Sequence, residues 1–138
     1  MRLVLDASAA VRVVLGGERA GALLDALEAA SAVTAPALLV SEVANAFWKY
    51  HRAGALSVEE ALAHHAEAVN LVDELTPDSE LITEALAEAA RRGHPVYDLL
   101  YAVLARRRGA AVLTLDERLA GLLGAMEVPV APVDDRRS

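Results

Sequence analysis

Three consecutive branched apolar residues, Leu3, Val4 and Leu5, open the chain and stop abruptly at an acid, Asp6, followed by the small residues Ala7 and Ser8. A short run that is apolar at every position predicts a strand buried on both faces, as in a parallel sheet. Helical spacing follows over residues 8–15, is broken by Gly16-Gly17, and resumes over 18–30 with Ala20, Leu23, Leu24 and Leu27 on one stripe. Ala32-Val33-Thr34 reads as a weaker strand stopped at Pro36, a residue suited to the first turn of the next helix. That helix is expected over 36–52, with Leu39, Val43, Ala46, Phe47 and Tyr50 as its core stripe. Glu42 then falls about 60° to one side of the Leu39/Val43 line, at the margin of the buried face with Leu38, Asn45 and Lys49.

Further along, Ser57 and Glu60 form a capping box that opens a helix to about residue 70. Residues 71–75 read as a short edge strand closed by Thr76-Pro77, and Asp78 is expected to cap an amphipathic helix through Leu81, Ile82, Ala85, Leu86 and Ala89. That helix ends in Arg91-Arg92-Gly93, and His94-Pro95 forces an extended bend. The next helix, from about 96 to 108, carries Asp98 in its first turn. Residues 111–115 are a second clear strand, and it too ends in an acid, Asp116, before a short helix to about 123. Val128-Pro129-Val130 gives a last weak strand, placed at an edge by its proline. Strands alternating with helices predict an α/β fold, a parallel sheet covered on both faces.

Length bounds this to one domain over residues 1–133, with a polar tail over 134–138 that is expected to fray. Hydrophobic residues make up 55% of the chain, yet no run approaches the ~20 apolar residues that span a bilayer, and the N-terminus lacks a secretory apolar segment. With no cysteine there are no disulfides, thiolate zinc sites or cysteine nucleophiles, which fits a reducing cytoplasm. The formal net charge of −7 is the wrong sign for gripping nucleic acid, unless positive groups are local or a cation sits among the acids.

Two strands thus deliver Asp6 and Asp116 to the same sheet edge, where ligands collect in open α/β sheets, and Glu42 and Asp98 could close on it from two helices. Each has a purely structural reading as well. Asp6 and Asp116 suit helix N-caps, Asp98 complements a helix dipole, and Glu42 could be a solvated flank beside Lys49. Four converging carboxylates repel one another, and a hard divalent cation with oxygen ligands is the natural compensator. Such a cation supports phosphodiester hydrolysis by activating water and neutralising developing charge. The histidines His51, His64, His65 and His94 form no convincing ligand pair, and Arg91-Arg92 and Arg106-Arg107-Arg108 are explained by helix C-termini. Phe47, Trp48 and Tyr50 read as core or dimer contacts.

In order along the chain, Val4-Leu5-Asp6-Ala7-Ser8, Ser41-Glu42-Val43-Ala44-Asn45-Ala46, Tyr97-Asp98-Leu99-Leu100-Tyr101-Ala102-Val103-Leu104-Ala105 and Leu113-Thr114-Leu115-Asp116 resemble a PIN-domain ribonuclease of the VapC toxin type. The resemblance implies a three-layer α/β/α fold around a mainly parallel sheet of four or five strands. It implies that Asp6, Glu42, Asp98 and Asp116 are an acidic quartet holding Mg²⁺ or Mn²⁺, with Asp6 and Asp98 as primary ligands and Ser8 and Thr114 as supporting hydroxyls. The adjacent acid Glu117 leaves open which of Asp116 and Glu117 faces the site. It further implies an endoribonuclease cutting tRNA, rRNA or mRNA, a VapB-like antitoxin partner, and a homodimer. Other classes fit less well. A nucleophilic-Asp phosphatase wants a second acid where Ser8 stands, and a receiver domain wants a late-strand lysine, whereas the only lysine, Lys49, falls in a helix. A non-toxin PIN nuclease, or a PIN scaffold that has lost its chemistry and binds RNA or protein, is the remaining alternative.

Overall fold

A computed structural model describes residues 1–133, so the tail expected at 134–138 lies outside the described residues. The first strand, β1 (Arg2–Leu5), is buried at its last three positions and runs parallel to both of its neighbours. On one side lies β2 (Ala32–Pro36), followed by β3 (Glu74–Thr76) at the edge, and on the other lies β4 (Ala111–Leu113). All pairings are parallel, in the spatial order β3-β2-β1-β4. Among the described residues the expected strand at 128–130 reduces to a single parallel bridge between Val112 and Val130. The sheet therefore has four strands, at the lower end of the expected range.

Among the described residues seven α-helices complete the three layers: α1 (Ala7–Leu15), α2 (Ala20–Ala29), α3 (Leu38–Arg52), α4 (Val58–Val69), α5 (Ile82–Arg92), α6 (Val96–Arg108) and α7 (Glu117–Ala125). The first four pack on one another, while α6 packs against β1, β2, α5 and α7. The predicted capping box opens α4: Ser57 Oγ accepts from the Glu60 N–H and Glu60 reaches back to the Ser57 N–H. Helix α6 is buried at eight successive positions, Asp98–Ala105, so it is enclosed on every side. Its Leu99, Leu104 and Val103 are sealed with Leu5, Leu113 and Leu39 in the central core. A helix fixed this firmly holds Asp98 and Tyr101 in place.

The edge strand expected over 71–75 is Glu74–Thr76, and the strand expected over 111–115 stops at Leu113. Two other differences have reasons the sequence hides. Pro36 ends β2 rather than starting α3, because the bond to β3 at that point is made by the Ala37 N–H to Thr76 O, and proline's missing donor costs nothing there. Asp78 does not cap its own helix. Residues 78–80 form a 3₁₀ turn, and Asp78 Oδ1 accepts instead from the Leu38 N–H, capping α3 from 40 residues away. The arginines expected merely to complement helix dipoles form ties: Arg91, Arg92 and Arg106 converge on Glu88, and Arg108 meets Glu74. Phe47 is buried against the His64 ring, whereas Trp48 lies half exposed with the Arg52 guanidinium 4.6 Å over it. No helix among the described residues is long and apolar enough to cross a membrane.

Candidate active site

The strand order reverses direction at β1: the chain leaves β1 toward β2 and β3, then returns to add β4 on the opposite side. Helix α1, after β1, packs with α2, α3 and α4, and α7, after β4, packs with α6. Two loops diverging from neighbouring strand ends open a crevice at the carboxyl edge. The register sets Leu5 beside Leu113, so Asp6 and Thr114 emerge side by side, with the Asp6 N–H bonded to Leu113 O at 3.2 Å.

Asp6 is the most enclosed acid of the group at 4% exposure. Its backbone is extended and it caps α1, accepting from the Ala9 N–H at 3.0 Å. Thr114 Oγ1 donates to Asp6 Oδ2 at 2.6 Å, and Ser8 Oγ donates at 2.8 Å to Oδ1. Each hydroxyl is itself oriented by a backbone N–H, that of Leu115 on Ser8 and that of Asp116 on Thr114. Each hydroxyl proton is thereby directed to the Asp6 carboxylate, and the two loops are joined through it. The cap reading and the site reading of Asp6 are compatible. Burial nonetheless outweighs these hydrogen bonds, assisted by the nearby Asp116 charge, and pushes the Asp6 carboxyl up to about 6.

The other acids come from α3, α6 and the N-cap of α7. Glu42 lies half-buried on the flank of α3, where Tyr101 Oη donates to its Oε1 at 2.6 Å. Burial raises the Glu42 pKa against that hydrogen bond, and the charges of Asp98, Asp116 and Asp78 raise it further. Asp98, in the first turn of α6, is 7% exposed and binds His94 Nε2 at 2.9 Å and Arg118 Nε at 3.2 Å, both on Oδ2. Asp116 caps α7, with Oδ1 accepting from the Arg118 and Leu119 N–H groups. It is Asp116 that perturbs Asp6 and Glu42, while Glu117 is exposed. Beside Glu42, a groove of about 420 Å³ runs along α3, lined by Asn45, Ala46, Lys49, Tyr50 and Ala53.

The donor set suits a hard cation. It consists of carboxylate oxygens, and Glu42 Oε2, Asp98 Oδ1 and Asp116 Oδ2 make no hydrogen bond among the described residues. As placed, no group of three or more His, Asp or Glu side chains among the described residues stands close enough to hold an ion. Asp98 is turned to His94 and Arg118, and Glu42 to Tyr101. Side-chain rotation is needed to gather them.

Pattern reading missed four participants. His94, set aside as isolated, stands four residues before Asp98 and grips it, and that spacing was a usable signal. Tyr101, three residues after Asp98, could have been found the same way. Arg118 and Asp78 arrive from elements distant in the chain, and nothing local marks them.

The PIN-domain family model matches residues 3–122, spanning all of these positions. The chain belongs to the PIN-domain family. Within it, the chain is 35% identical over 131 residues to ribonuclease VapC3 of Pyrobaculum aerophilum, a match covering 94% of this chain and 100% of that relative. The PIN fold is also seen in the crystal structure of PAE2754 from the same organism, with TM-score 0.68 and 25% identity over 86% of this chain and 77% of that one. VapC20 of Mycobacterium tuberculosis, described as a sarcin-ricin loop cleaving toxin, aligns with TM-score 0.65 and 16% identity over 87% and 94% of the two chains. VapBC2 of Rickettsia felis bound to a promoter DNA fragment aligns at 0.60 and 12% over 97% and 100%. The expected VapC-type resemblance is borne out, and with it the three-layer fold.

Proposed function

We propose that this PIN protein is a divalent-metal-dependent endoribonuclease, the toxin half of a type II toxin–antitoxin pair acting in the cytoplasm. Asp6, Glu42, Asp98 and Asp116 are its metal-holding acids, with Mg²⁺ or Mn²⁺ as the ion. The observation that carries the reading is that burial with the Asp116 charge raises the Asp6 carboxyl, and burial with the Asp98 and Asp116 charges raises that of Glu42. A bound divalent ion would supply an activated water and neutralise the charge developing on a phosphodiester.

The chain's own residues prepare that step. Thr114 and Ser8 hold Asp6 so that its oxygens face the crevice as acceptors only. Tyr101 holds Glu42 and His94 holds Asp98, so each acid starts from a defined orientation from which it would turn toward an ion. The half-enclosed setting limits water and strengthens each electrostatic contact. A VapB-like antitoxin would hold the nuclease off, and a homodimer of the domain would set two such crevices in one particle.

The test is cleavage of a labelled single-stranded RNA with and without Mn²⁺, alongside Mn²⁺ calorimetry. Asp6→Asn and Asp98→Asn should each lower metal-stimulated cleavage at least about a thousandfold, since removing a metal ligand removes transition-state charge stabilisation. Both variants should stay folded by circular dichroism. Undiminished activity in both, or no Mn²⁺ heat in the wild type, refutes the assignment; the second outcome is also that of a PIN scaffold without chemistry.

A further inference from the structure

Asp98 has two partners of different kinds. His94 lies four residues away on the approach to the same helix and is largely enclosed, with 17% of its side chain exposed. Arg118 comes from the first turn of α7 and leaves 65% of its side chain in solvent. Arg118 touches Asp98 through Nε alone, and its two Nη groups make no hydrogen bond or ion pair among the described residues. The α7 backbone offers no competing anion site, because Asp116 Oδ1 already takes the Arg118 and Leu119 N–H groups.

Arginine–carboxylate pairs are frequently bidentate, the guanidinium fork matching the carboxylate in two parallel bonds, whereas Arg118 makes one contact to Asp98 and keeps most of its side chain in solvent. Here one edge of the fork is anchored on Asp98 and the other is left open to solvent beside the acids. A polyanion approaching Asp6, Glu42, Asp98 and Asp116 on a chain of net charge −7 needs a cation at that mouth. We propose that Arg118 receives the RNA backbone at this crevice, with Nε held on Asp98 and the Nη groups binding the non-bridging oxygens of a substrate phosphodiester. This assignment rests on the nuclease reading above and adds to it a named substrate contact. The tie to Asp98 presets the orientation of a long side chain, so less rotamer freedom is lost when RNA binds.

The experiment compares the full-length wild type, Arg118→Gln and Arg118→Lys. Binding of a fluorescein-labelled single-stranded RNA is followed by anisotropy in EDTA over a range of salt, and cleavage kinetics and Mn²⁺ calorimetry are measured in parallel. Arg118→Gln should weaken RNA binding about tenfold, as expected for the loss of one charge-assisted contact. The slope of log affinity against log salt should become shallower by about 0.7, one single-strand phosphate fewer. KM should rise by a similar factor, while Mn²⁺ affinity does not fall, because a cation has been removed from Asp98. Arg118→Lys should keep the salt slope and recover part of the affinity. An Arg118→Gln variant with wild-type RNA affinity and salt slope, but weakened Mn²⁺ binding, would show that Arg118 only props Asp98, and the proposal would fall. Wild-type protein that cleaves RNA together with an unaffected Arg118→Gln variant overturns this assignment alone. Wild-type protein that neither binds nor cleaves RNA overturns the nuclease reading along with it.

Discussion

Asp6 is 4% exposed, and its carboxyl titrates at about 6 in the fold against an ordinary 3.8, chiefly because burial opposes the charge. Below 3.8 the carboxyl is protonated in both folded and unfolded chains, and it makes no difference to stability. Between 3.8 and about 6 the unfolded chain ionises while the fold still binds the proton, so stability falls as pH rises through that window. Above it the penalty is fully developed, and a shift of this size corresponds to about 3 kcal/mol. Asp6→Asn removes the charge and keeps an oxygen for the Ala9 N–H, but its amide nitrogen cannot accept from Thr114, a loss of about 1 kcal/mol. The metal-free variant should therefore be more stable than wild type at pH 7.5 by about 1–2 kcal/mol, a rise in Tm of roughly 3–8 °C. Near pH 4 the advantage should vanish or reverse. Urea unfolding in EDTA at both pH values measures it. Added Mn²⁺ should stabilise the wild type by mass action, about 2.7 kcal/mol at a hundred times Kd, and should leave the variant unmoved. An Asp6→Asn protein destabilised equally at both pH values would refute the reasoning, because Asp6 would then hold an unstrained charge.

Two further substitutions probe the shell around the acids. Thr114→Ala deletes the 2.6 Å bond to Asp6, whose effect is to lower that pKa, so the Asp6 carboxyl should rise above 6 and the acid limb of the cleavage pH profile should move upward. The same change should cost about 1–2 kcal/mol at pH 7.5 in urea unfolding. Tyr101→Phe removes the donor to Glu42 and raises its pKa further, so Mn²⁺ affinity measured by calorimetry should drop more at pH 6 than at pH 8. Equal loss at both pH values would argue against Glu42 as the group concerned.

Local pattern determined most of the architecture. Short runs that are apolar at every position are a physical signature of strands inside a parallel sheet, and Leu3–Leu5, ended by Asp6, and Ala111–Leu113, followed by Thr114, behave accordingly. Helix stripes and the Ser57–Glu60 box are also local, because they depend on neighbours three and four residues apart. Even the acids could be nominated in advance, since each sits at a strand end or a helix margin that its own segment defines. The tertiary structure decided what those acids touch. That Asp6 caps α1 while accepting from Thr114, that the charge of Asp116 reaches it, and that Asp78 serves α3 all depend on strand order. So does the meeting of Arg118 with Asp98, 20 residues away. Hydrogen bonds and Coulomb forces act through space over a few ångströms, while sequence pattern reports only distance along the chain. Groups at the ends of β1 and β4 and on α3, α6 and α7 come within reach of one another's charge only once the sheet has set those elements in place.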